Sequence, residues 1–260
     1  NKTILDEMSR NPLLSVQVSL YSMNAYIHDE ITQKKGSFEK TKNAILQLRE
    51  NNIPMQISCP ILKQNMNCYS DVINWGKDLN INVASDYEII ARYNHTTQNV
   101  NNRLSLQEVK KIIDQTIRDD PQYLDRIESE AKKKENINPD DFVCSVCHSS
   151  ICIAVDGHAF PCAGWQDYVL GTTNDTSLND IWNNSVKIQH LRNLRRRDFP
   201  KCIQCPENKF CTMCMVKNAN EDPSGNPLAI NEYFCNIVKL NNGMISKQKR
   251  SSASFQSNVR

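Results

Sequence analysis

The sequence predicts an α/β protein in which a parallel sheet with crossover helices is followed by a small cysteine-rich domain of mixed α+β character. Two observations carry this. Through roughly the first 100 residues, apolar stretches of strand length alternate with stretches of helical period, and repeated βα units imply parallel strands joined by helices. Nine of the 11 cysteines then crowd between Cys144 and Cys235, most of them in tight pairs. A length of 260 residues suits two bodies and a tail.

The first strand is Leu14-Ser-Val-Gln-Val-Ser-Leu20. Ser37, after Gly36, is expected to N-cap a helix whose Ala44, Ile45 and Leu48 share one face and which stops at Asn51-Asn52. Ile53 to Ile61 is the next strand, Asp71 to Leu79 the next helix and Ile81 to Ser85 the strand after it. Sheets of this kind bind ligands at the C-terminal ends of their strands. Cys59 and Cys68 lack near partners and read as small buried or half-buried side chains. These units fill 1–103, and 104–143 read as a helical linker. There Ser105 with Glu108 has capping-box spacing, Val109, Ile112, Ile113 and Ile117 lie on one face, and Asp120-Pro121 ends the helix. The charged run from Ser129 to Lys134 is a solvated face. The cysteine domain takes 144–240, and 241–260, rich in Ser, Lys, Gln and Arg, is expected to be a disordered tail.

Within the cysteine domain, Cys144 pairs with Cys147, Cys202 with Cys205 and Cys211 with Cys214, while Cys162 follows an Asp156-Gly157 turn and Cys235 stands alone. A Cys-x2-Cys turn lets two thiolates reach one metal without straining the backbone. Nine thiols leave room for two four-thiolate sites and one spare. Disulfides suit an oxidising compartment, and a polar, Lys- and Asn-rich chain with tight pairs fits a reduced intracellular metalloprotein better. Zinc and iron–sulfur both accept four thiolates tetrahedrally, so donor softness leaves the two open. His148 and His158 read as turn-side surface residues, and Trp165, Trp182 and Phe199 as the core of a small metal-stapled domain.

The order Cys144-x12-Gly157-x4-Cys162, Cys202-x2-Cys205-x5-Cys211-x2-Cys214 and Cys235 resembles the SPASM domain of radical S-adenosylmethionine (SAM) enzymes. Ile153-Ala-Val-Asp-Gly157, Phe160-Pro-Cys-Ala-Gly-Trp165, Ser177-Leu-Asn-Asp-Ile-Trp182 and Leu191-Arg192 extend the likeness. The first half is similar to the later βα units of the radical SAM partial (β/α) barrel in Val18-Ser-Leu20, Ile27-His-Asp29, Lys35-Gly-Ser-Phe38 and Lys63-Gln-Asn65. This resemblance implies two auxiliary [4Fe–4S] clusters. Cys144, Cys162 and Cys214 would hold the first, and Cys202, Cys205, Cys211 and Cys235 the second. Cys147 is our choice as fourth ligand of the first, because Cys152 falls where a short strand wants an apolar residue. It also implies polar contacts from Ser19 and Asn65 to SAM, the alternatives being packing for Ser19 and a turn cap for Asn65.

The chain departs from the family in three places. Cys211-x2-Cys214 stands where the family usually has Cys-x3-Cys. Ala163 stands where anaerobic sulfatase-maturing relatives carry a proton-accepting Asp, which favours the peptide-modifying branch. The Cys-x3-Cys-x2-Cys that holds the SAM-cleaving cluster does not occur, and is expected upstream of Asn1. The chain therefore reads as the C-terminal portion of a longer enzyme, unable alone to generate a radical, with an exposed sheet edge that lowers solubility. By resemblance, the intact oxidoreductase would carry a third [4Fe–4S] cluster, cleave SAM to a 5′-deoxyadenosyl radical and abstract hydrogen from a ribosomally made peptide or protein, forming for example a thioether or C–C cross-link. Its partners would be that substrate and a reductant such as flavodoxin or ferredoxin. A net charge of +2, with no basic face beyond Arg192 to Arg197 and the tail, argues against nucleic acid. No run approaches about 18 apolar residues, so no membrane partner is expected, and the tight cysteine pairs make the reducing cytoplasm the expected compartment. The competing readings are a zinc- or cluster-stabilised peptide-binding module without chemistry, and a sulfatase-maturing-type enzyme.

Overall fold

The computed structural model describes residues 2–11, 14–134 and 137–257. Its backbone divides into two units, residues 1–89 with 102–105, and residues 90–101 with 106–260.

In the first unit, α1 (Lys2–Arg10) precedes β1 (Val16–Ser19), α2 (Ala25–Thr32), α3 (Ser37–Glu50), β2 (Met55–Ser58), α4 (Tyr69–Asp78) and β3 (Asn82–Ala84). The strands form a parallel sheet in the order β1-β2-β3, with Ser19 opposite Ser58 and Ser58 opposite Ala84, as alternating βα units require. Helix α3 buries Phe38, Ile45 and Leu48. Helix α4 buries Tyr69, Val72 and Gly76, a stripe at helical spacing. Gly76 has a packing reason: a Cβ there would stand 2.2 Å from Val83 Cγ2 on β3. The expected Ser37 cap is corrected. Gly36, at φ 76°, occupies the cap position and Ser37 is already helical, so the acceptor comes from α2. The Asp29 carboxylate accepts from the N–H groups of Gly36 (2.5 Å) and Phe38 (2.8 Å) and from the Ser37 hydroxyl (2.9 Å). The Phe38 N–H above all holds the Asp29 carboxyl below its usual range.

The second unit contains α5 (Leu106–Asp119), α6 (Tyr123–Lys132), β4 (Cys152–Ile153), β5 (His158–Phe160), β6 (Gly171–Thr172), α7 (Leu178–Asn184), α8 (Val186–Asn193), α9 (Pro200–Ile203), α10 (Met215–Ala219) and α11 (Glu232–Ser257). The segment read as a linker is built into this unit, with α5 packed against α6 and α11. The expected tail begins inside α11, which runs to Ser257 and buries Phe234, Ile237 and Ile245 along one helix face. Residues 258–260 of that tail lie outside the described residues. Strands β4, β5 and β6 form a small antiparallel sheet whose first turn places Gly157 at φ 87°, a conformation that glycine adopts freely. Trp165, Ile188, Leu191 and Phe199 fill the core beside Ala159 and Met215. Ser177 caps α7 through the Asp180 N–H at 3.1 Å.

Candidate metal centre

All 11 cysteines are free thiols, and the eight proposed as ligands lie in the second unit. Local turns set their directions. Cys147 is fully buried in a left-handed conformation (φ 59°), with its N–H donating to the Ser150 carbonyl at 2.9 Å. Cys162 follows β5, its carbonyl accepting from the Trp165 N–H at 3.0 Å. Cys202 lies in α9, and its carbonyl accepts from the Cys205 N–H at 3.2 Å. Cys211 follows a 3-10 turn over Asn208–Phe210, Cys214 directly precedes α10, and Cys235 lies in the first turn of α11.

The electrostatic partners of these thiols fall into two circles with no common member. Burial pushes the Cys144 thiol up, and Cys214 adds to the push. Cys162 is raised by burial, then by Cys214 and Cys144. Burial carries Cys147 up to about 11, with Cys144 and Cys162 adding and Arg192 opposing. In the other circle, burial raises Cys202, with Cys235 and Cys205 adding. Burial takes Cys211 to about 11, with Cys235, Cys202 and Cys205 adding and Lys217 opposing. Cys235 is raised by burial and by Cys205. Cys211 and Cys214, three residues apart, therefore face different neighbours. Cys152 is a half-buried residue of β4 and is not among the causes of any of these shifts.

Among the described residues no group of three or more His, Cys, Asp or Glu side chains stands close enough to hold a single metal ion. Four soft donors, without an Asp, Glu or His ligand among them, suit a thiolate-ligated iron–sulfur cluster by donor chemistry, as they suit zinc. The two histidines are committed elsewhere: His148 stacks on Phe142 with ring centroids 3.6 Å apart, and His158 Nδ1 lies 3.0 Å from Asp156. The arginines of the basic run make contacts within their own unit, Arg197 at an exposed position. Arg192 donates to the Cys147 carbonyl, Arg195 to the Arg192 carbonyl, Arg196 to Met213 Sδ, and Arg197 pairs with Asp140.

In the first unit, Ser19 is exposed at the C-terminal end of β1. Asn65 is fully buried and staples the loops instead of facing outward. Its Oδ1 accepts from the Leu62 N–H (2.7 Å), and its Nδ2 donates to the carbonyls of Tyr21 (2.7 Å) and Pro60 (3.0 Å). Cys59 is buried and its thiol is pushed up to about 12 by burial, with Cys68 adding. Sequence reasoning missed two side chains of consequence, Asp29 and Arg192. Both stand in stretches quoted for the resemblance, but nothing in the linear pattern tells what they bind.

Residues 144–206 match the family model of the SPASM iron–sulfur cluster-binding domain. The chain is 24% identical over 215 residues to the antilisterial bacteriocin subtilosin biosynthesis protein AlbA of Bacillus subtilis, covering 80% of this chain and 46% of that protein. It is 24% identical over 243 residues to the AdoMet-dependent heme synthase of Methanosarcina barkeri, covering 82% of this chain and 66% of that one. The chain thus spans about half to two thirds of the curated relatives it matches. Among solved structures, anSMEcpe with bound AdoMet and the Kp18Cys peptide superposes with a TM-score of 0.64 at 15% identity, over 98% of this chain and 73% of that one. Streptococcus suis SuiB bound to its precursor peptide SuiA gives 0.57 at 16% identity, over 87% and 54%. The fold is that of these proteins, and the chain is similar to the C-terminal portion of radical SAM/SPASM maturases.

Proposed function

We propose that this chain is the C-terminal portion of a radical SAM/SPASM oxidoreductase that matures a peptide or protein by hydrogen abstraction, forming for example a thioether or C–C cross-link. The observation that carries the reading is the match of residues 144–206, which include five of the eight proposed ligand thiols, to the iron–sulfur cluster-binding domain. Cys144, Cys147, Cys162 and Cys214 would hold one [4Fe–4S] cluster, and Cys202, Cys205, Cys211 and Cys235 the other. When bound, these clusters would supply one-electron redox chemistry.

The chain's own residues do the rest. The turn at Cys147, the short helix that carries Cys202 and the extended cap position of Cys214 fix the backbone at these thiols, and a buried or half-buried setting limits their contact with bulk water. In the first unit Ser19 presents a hydroxyl at the strand ends where SAM is expected to lie. Asn65 keeps the neighbouring loops rigid behind it. Peptide as the substrate class draws support from three relatives: one is a bacteriocin biosynthesis protein, and two were solved with a bound peptide. A ferredoxin- or flavodoxin-type reductant would supply electrons.

Anaerobic reconstitution with iron and sulfide tests the reading. The expected product is brown and holds about eight irons per chain with matching sulfide, four for each cluster. A colourless protein, or one that takes two zinc ions in preference, refutes it in favour of a zinc-stapled binding module.

A further inference from the structure

Arg192, in the last turn of α8, is half-buried and held by two contacts. Its Nε donates to the Cys147 carbonyl at 2.6 Å, and its guanidinium carbon stands 4.6 Å from the centroid of the Trp182 ring. Cys147 is the residue that needs such a partner. At φ 59° it adopts a left-handed backbone that a side-chain-bearing residue keeps only where the surroundings over-determine it. Ser150 ties its N–H at 2.9 Å and Arg192 ties its carbonyl, so the peptide units on both sides of the Cα are fixed. Arginine suits this place because it stays charged, is weakly hydrated and stacks on an aromatic face while its N–H groups donate.

We propose that Arg192 is a positioning residue for the first four-thiol set, holding Cys147 in its left-handed turn as fourth ligand and placing a fixed positive charge beside an anionic iron–sulfur cluster. This rests on the reading of that set as cluster ligands. A cluster with four thiolates is negative overall, and reduction makes it more so. A neighbouring cation favours the reduced form and raises the reduction potential. The second set, which faces Lys217 in place of Arg192, is unaffected.

The test uses the full chain, reconstituted anaerobically, as wild type and as the Arg192→Gln, Arg192→Lys and Cys147→Ser variants. Iron content, the rate of iron loss to a chelator and the potentials of both clusters by EPR-monitored titration are measured. Arg192→Gln is expected to lower the potential of the first cluster and speed its loss to chelator, with the second cluster unchanged. Arg192→Lys restores the potential in part but not the retention, since it keeps the charge and loses the fork. Adding Arg192→Gln to Cys147→Ser should bring little further change. The proposal is overturned if Arg192→Gln leaves potential and chelation rate at wild-type values, or weakens both clusters equally as a general packing defect would. A Cys147→Ser variant with an intact first cluster also removes it. A wild type that binds no iron sinks the underlying reading and the proposal together.

Discussion

The assignment of the thiols to two sets makes a prediction that depends on folding and not on sequence order. Cys211 and Cys214 are three residues apart, yet burial and the charges of Cys235, Cys202 and Cys205 raise the first, while the second acts on Cys144 and Cys162. Each set has four thiols, so removing two of one set leaves only two, too few to retain a [4Fe–4S] cluster. The Cys144→Ala/Cys214→Ala double variant should therefore drop iron from about eight to about four per chain. Cys202→Ala/Cys211→Ala should do the same with the opposite cluster surviving. The Cys211→Ala/Cys214→Ala variant, although its changes are adjacent, should wound both clusters and leave each with three ligands. Cys152→Ala should keep both. Iron and sulfide assays give the totals, and EPR of the dithionite-reduced protein shows which species remains. If the two set-wise variants lose the same species, or if the adjacent pair removes one cluster cleanly and spares the other, the interleaved assignment is wrong.

Three further outcomes follow from the packing. Asn65→Ala breaks three hydrogen bonds of a fully buried side chain at ~1 kcal/mol each, so denaturant unfolding should show a loss of about 3 kcal/mol, against under ~0.5 kcal/mol for exposed Ser19→Ala. Gly76→Ala meets Val83 Cγ2 at 2.2 Å, and an overpacking cost of about 1–3 kcal/mol outweighs the ~1 kcal/mol helix gain. Adding Val83→Ala should relieve part of that loss in a double-mutant cycle. Asp29 has a folded pKa below its unfolded value, so its contribution is fully present above pH ~4 and disappears as pH falls through the lower folded value. Melting temperatures from pH 7 down to 3 should therefore fall more steeply for wild type than for Asp29→Asn; equal slopes would remove Asp29 from the account.

The parallel sheet was readable because its strands and crossover helices keep their own periods: Ile45 and Leu48 on α3 are buried where their spacing puts them, while Ala44, read onto the same face, is exposed. The helix start at Ser37 was not, since the capping carboxylate comes from Asp29, eight residues earlier and on another helix. Local rules see Ser before a helix and stop there. Packing also reaches into the start of the expected tail. Its Ser, Lys and Gln residues dominate the composition, but a single isoleucine at the right phase, Ile245, joins the buried stripe of Phe234 and Ile237. For the thiols, spacing alone suggested pairs, and it was the family resemblance, not spacing, that put Cys211 and Cys214 in different sets.

That separation bears on how the domain would fold. The first proposed set closes a loop from Cys144 to Cys214, and the second from Cys202 to Cys235, so the two loops overlap in the segment 202–214. Metal binding stabilises a fold by whatever the unfolded chain cannot match, and closing a long loop costs only slowly more than closing a short one. The segment from Cys202 to Cys214 must therefore be ordered before either set can be completed, and once one set is filled the other's remaining thiols are already held near their places. Loading should be cooperative for that reason: iron titrated below saturation gives a mixture of empty and doubly loaded chains, with few chains carrying one cluster. A population dominated by singly loaded chains in native mass spectra would mean that the two sets fold independently and that their overlap in sequence has no mechanical consequence.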